Sequence, residues 1–179
     1  MSTQAIGAAV AGTALLGGGG TLAAYAAGAF NTKWEDTTFE EYAQSLGKLK
    51  YLGEGNTNLK TPPTKTNVET RIGDSANGAK YKESLKRNWD QMKKEDVAEE
   101  EKNKRPRDSK DVLFPAIAQS LDKKSEIAQW TETWCGAIGK KRVKAKVKVG
   151  DETKWNKEFF DGSDSWKAFT AVCLEATTS

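Results

Sequence analysis

The sequence predicts an α+β protein: mainly α with a minor β-sheet, built as an N-terminal transmembrane helix followed by one small globular domain. Three observations predict it. Residues 2–32 hold no charged side chain, and all 28 basic and 25 acidic residues come after them. Beyond that run, apolar residues recur mostly three and four apart, the period of a helix face. One stretch, Arg142 to Val149, instead alternates basic and apolar residues strictly, which is the period of a strand. Six tryptophans in 179 residues also call for a buried core.

The apolar run comes first. Residues 5–30 are long enough to cross a bilayer core, which takes about 20 helical residues. The apolar core of a secretory signal is shorter, roughly 7–15 residues, and follows a basic start that is missing here. Small residues do stand at cleavage spacing, Ala24-Tyr25-Ala26 and Ala27-Gly28-Ala29. Gly17 to Gly20 would each cost about 1 kcal/mol against alanine in water. In lipid the alternative is unsatisfied backbone, so the helix survives. Small residues such as Ala24 and Gly28 also admit a neighbouring helix. The expectation is an uncleaved single-pass anchor over 1–30, with residues 31–179 outside. A cleaved signal and a buried Ala/Gly helix are the alternatives. Ser2 excludes myristoylation, and the only cysteines, Cys135 and Cys173, lie far from this end.

Thr37-Thr38-Phe39-Glu40 reads as a capping box, followed by Phe39, Tyr42, Ala43 and Leu46 at helical spacing, with Gly47 as the stop. Residues 53–66, with Gly53, Gly55 and Pro62-Pro63, read as a polar loop. Val68, Thr70 and Ile72 alternate with polar neighbours and predict a short strand. Gly73 to Gly78 is turn chemistry. A helix is expected from about Ala79 to Lys102, with Tyr81, Leu85, Trp89 and Met92 as its apolar stripe. Residues 95–111 form a charged linker closed by Pro106. Ile117, Leu121, Ile127, Trp130, Trp134 and Ile138 predict one helix or two from Val112 to Ile138, breaking near Asp122. Trp155, Phe159 and Phe160 suggest a short helix. A last helix from Asp164 or Ser165 carries Trp166, Phe169, Val172 and Cys173.

There is no histidine. That removes Ser-His and Cys-His nucleophile pairs, histidine zinc sites and the commonest general base, so no catalytic residue, cofactor or metal is expected. Gly73-Asp74-Ser75 is then a turn. Gly17 to Gly20 lack the Gly-Lys-Ser/Thr ending of a phosphate loop. Asp161-Gly162-Ser163-Asp164-Ser165 has the spacing of a divalent-cation motif, but no strand precedes it, and it reads better as a loop and helix cap.

Lys140, Lys141, Arg142, Lys144, Lys146 and Lys148 are the sharpest local pattern. As a strand they give one basic face and one Val/Ala face. That face could bind phosphates or anionic headgroups, or it could be an exposed edge whose lysines deter aggregation. No aromatics are interleaved for base stacking, and the net charge is only +3, so no nucleic-acid partner is expected. Cys135 and Cys173 lie on the core sides of expected helices. They could pair if the domain is exported, or stand as two buried thiols.

The small-residue start after Met-Ser, the lysine-rich domain, the many tryptophans and the Trp130, Trp134-Cys135 pattern together resemble the paralogous families of short, uncharacterised envelope proteins of haemotropic mycoplasmas. The resemblance implies a cell-envelope protein with a role in antigenic diversity or host contact, and it supplies no catalytic residues. The expected function is a membrane-anchored surface protein, not an enzyme, held to the bilayer through residues 5–30 and meeting a host surface component. The alternative is an accessory protein, soluble or facing the membrane, that binds an anionic partner through residues 140–149.

Overall fold

The computed structural model describes residues 33–53, 58–115 and 120–177. The apolar run 5–30 and the anchor expected there lie outside the described residues. Residues 34–179 form one compact unit. Its elements in chain order are β1 (Glu35–Thr38), α1 (Phe39–Ser45), β2 (Leu49–Tyr51), α2 (Lys65–Gly73), α3 (Gly78–Asn88), three 3-10 turns, α4 (Lys110–Leu113), α5 (Lys124–Gly139), β3 (Arg142–Val149), β4 (Glu152–Trp155), α6 (Lys157–Gly162), α7 (Asp164–Cys173) and β5 (Leu174–Ala176). The fold is mixed α+β. β1, β3 and β4 make an antiparallel sheet with β3 in the centre, and β2 pairs antiparallel with β5.

Several elements follow their local chemistry. Thr38 caps α1, its hydroxyl accepting from the Glu41 N–H at 3.1 Å. The cap therefore sits one residue later than Thr37. Gly47 takes φ +67°, a conformation suited to glycine, just after α1. Ser163 caps α7 by accepting from the Trp166 N–H, but the loop expected over 161–165 shrinks to that one residue, because Asp161 and Gly162 end α6 and Asp164 begins α7. Asp74 accepts from the N–H groups of Ala76 and Asn77, closing the turn before α3.

Other expectations are corrected. Val68, Thr70 and Ile72 lie in helix α2, not a strand. Val68 and Ile72 are buried four residues apart while Thr70 between them is exposed, and a Thr64–Asn67 capping box starts the helix. The expected helix 79–102 ends at Asn88 and continues as 3-10 turns over Trp89–Gln91, Lys94–Asp96 and Glu99–Lys104. Its charged second half has no apolar stripe to hold a longer α-helix against the core. The segment 95–111 is folded rather than a loose linker. Val97 is buried, and the Arg105 guanidinium lies 5.6 Å from the Trp89 ring centre and 5.8 Å from that of Trp130. Trp155 belongs to β4, and α6 begins after it.

The core is aromatic and continuous. Phe39 and Tyr42 from α1 meet Phe160 of α6 and Trp166 of α7, with Tyr42 and Phe160 stacked at 3.6 Å between ring centres. Trp130 and Trp134 of α5 are fully buried. Trp134 donates its indole N–H to Asp96, which also accepts from Lys141. α3 is pinned to α7 by the Tyr81 hydroxyl, which donates to the Val172 carbonyl at 2.9 Å. Burial holds that phenol proton well above its usual range. The chain end is fastened by Glu175, which meets both Lys50 and Arg71.

A candidate binding groove beside the basic strand

β3 lies between β1 and β4 in strand order, but β1 pairs with its first half, Arg142 to Lys146, and β4 with its second, Lys146 to Val149, so only Lys146 has a paired residue on both sides. Pairing with β1 slips by one residue. Asp36 faces Lys144 and Glu35 faces Lys146, so Ala145 has no partner across the ladder. Such an extra residue bends a strand and sharpens its twist. The apolar face is buried at Ala145, half-buried at Val143 and Val147, and exposed at Val149.

The six cations do not form one free patch. Lys141 is tied to Asp96 at 2.7 Å. Lys146 is tied to Glu41 at 2.9 Å. Lys144 stands across from the acidic Asp36, and Arg142 across from Thr38. Lys140 is exposed at the C-cap of α5. Lys148 is exposed across from Thr153, with no ion-pair partner among the described residues.

What the structure does assemble is a groove of about 330 Å³ between α1 and the β3–β4 hairpin. β4 sets Trp155 across from Lys146 and Thr153 across from Lys148. α1 adds Glu41, Gln44 and Ser45 to the wall. Trp155 is half-buried, its ring centre 5.3 Å from that of Tyr42. Glu41 is held in place: Oε2 accepts from Lys146 at 2.9 Å and from the Thr37 hydroxyl at 2.7 Å. The Lys146 hydrogen bond, and then that of Thr37, hold its carboxyl below the usual carboxylate range.

The sequence pointed to Lys146 and Lys148 but to none of the groove's other residues. Glu41, Gln44 and Ser45 are ordinary polar residues of a short helix, some hundred positions upstream of β3. Trp155 was expected in a helix. No local pattern could have joined them.

Cys135 and Cys173 form a disulfide, with Cα atoms 5.7 Å apart and both residues fully buried, tying α5 to α7. Among the described residues no group of three or more Cys, Asp or Glu side chains could hold a metal ion. No helix among them is long and apolar enough to cross a membrane. Comparison with protein-family models, curated proteins and solved structures gives no match.

Proposed function

We propose that this chain is a membrane-anchored surface protein, without enzymatic activity, that displays the unit 34–179 outside the cell for recognition, host contact or antigenic display. The observation that carries the reading is the Cys135–Cys173 disulfide. Disulfides form and persist in oxidising, exported compartments and are rare where thiols are kept reduced. The uncharged run 5–30 supports the same reading as a single-pass anchor. Orientation follows with little resistance. Lys33 is the only basic residue between the run and Lys48, so the positive-inside rule does not hold the unit in the cytoplasm. The resemblance to envelope proteins of haemotropic mycoplasmas points the same way.

A second reading keeps the unit inside the cell as an accessory protein binding an anionic partner along 140–149. It draws on Lys140, Arg142, Lys144 and Lys148, which have no ion pair among the described residues. Protease treatment of intact cells, read with an antibody to α7, separates the two. The surface reading expects loss of the full-length band before lysis. A band that resists until the membrane is broken, or a protein found in the soluble fraction, overturns it.

A further inference from the structure

We propose that the groove between α1 and the β3–β4 hairpin binds a glycan ending in a carboxylated sugar. The proposal rests on the reading of the unit as a displayed recognition module, and it names the ligand class. A groove of about 330 Å³ lies near the lower end of small-ligand sites, enough for one or two sugar rings. Trp155 lines it with a half-buried indole, a flat apolar plate for the C–H face of a pyranose.

The polar groups suit hydroxyls. Both hydrogen bonds to the Glu41 carboxylate fall on Oε2, so Oε1 has no partner among the described residues and can accept from a ligand hydroxyl. The carboxylate is already fixed, so little order is lost on binding. The Ser45 hydroxyl donates to the Tyr42 carbonyl at 2.7 Å and turns an acceptor outward. Gln44 offers an exposed amide, both donor and acceptor.

The charges choose among sugars. Lys146 is neutralised by Glu41, and Lys148 is left as the unpaired ammonium for a ligand carboxylate. Glu41 also discriminates. A phosphate offers its negative oxygens wherever it turns and would meet the fixed carboxylate, whereas an acidic sugar can direct hydroxyls to Glu41 and its carboxylate to Lys148. An open groove binds weakly one site at a time, and an array of copies compensates through avidity.

The test uses full-length protein, immobilised in detergent, and polymers carrying terminal glucuronic acid, terminal sialic acid, or neutral glucose or galactose. At least one acidic polymer is expected to bind about tenfold or more tighter than its neutral counterpart. Lys148→Glu and Trp155→Leu should each weaken that binding about tenfold, while Lys80→Glu, an exposed position outside both the groove and the basic strand, leaves it unchanged. Lys148 is exposed, so its variant decides the matter if Trp155→Leu alters melting. Absence of binding to both acidic polymers, equal binding to the neutral ones, or acidic binding that survives Lys148→Glu overturns the proposal. Binding with purified protein does not depend on which side of the membrane the unit occupies, so failure here is distinct from failure of the protease experiment.

Discussion

Removing the Cys135–Cys173 bond should destabilise the unit severely without changing its fold. The bond closes a segment with a sequence separation of 38. In the chain-entropy account, freeing a loop of that length in the unfolded state costs about 4 kcal/mol of stability. Whole domains are stable by only about 5–15 kcal/mol. For a unit of this size, such a loss corresponds to a fall in Tm of roughly 10–20 °C. Local packing adds to it, because both cysteines are fully buried among α5 and α7 and any truncation there leaves space. The perturbation is the double variant Cys135→Ala with Cys173→Ala, compared with untreated and reduced full-length protein by thermal unfolding. Alkylation of unreduced protein followed by intact mass counts the thiols. The reasoning fails if both cysteines of protein trapped directly from cells take up alkylating agent. It fails equally if reduction moves Tm by less than about 3 °C.

Gly139→Ala should cost about 1–3 kcal/mol. The added Cβ would overlap the Tyr51 hydroxyl and stand 2.9 Å from Glu40 Oε1, the pair whose hydrogen bond links α1 to β2. Urea unfolding measures it, and an unchanged midpoint counts against the packing described here. Glu41→Gln should show its effect only above the acid range. Lys146 and Thr37 depress the Glu41 pKa below its ordinary value of 4.5, so its contribution is fully present above pH 4.5 and is lost as pH falls through the depressed folded value. The difference in Tm between wild type and variant should therefore close in acid, and a gap that widened there would reverse the sign of the argument.

The sequence made legible those elements whose signal is local. α1 is written in Thr38 and the spacing of Phe39, Tyr42 and Ala43, and α7 in Ser163 and its apolar face. The segment α2 misled because Val68 and Ile72 fit both periods, four residues apart on a helix and two steps of two along a strand. What decides it is the Thr64–Asn67 cap, and Asn67 at that position is a weaker written signal than glutamate. The 3-10 path from Trp89 to Lys104 was hidden for a different reason. It depends on Asp96 and Arg105 reaching Trp134, Lys141 and Trp130, partners that lie elsewhere in the chain.

The strands show the same division. β3 announces itself by strict alternation, but its neighbours do not. β1 and β4 are four residues each, β2 and β5 three, and none carries a period long enough to read. β4 folds back locally onto β3, but β1 and β2 pair with strands about a hundred residues or more downstream: Thr37 with Val143, and Tyr51 with Leu174. That closure changes the meaning of the basic strand. Read alone, it is a row of six cations awaiting an anion or guarding an edge. Paired with β1 along its first half and with β4 along its second, it is a strand whose cations meet different surroundings: Asp96 takes Lys141 just before it, Asp36 faces Lys144, and Glu41 takes Lys146. Lys148, near the end of β3 and lining the groove with Trp155, is the cation of that row left to the groove. Charge composition could show that basic residues were plentiful, but only long-range pairing decides which of them remains available to a ligand.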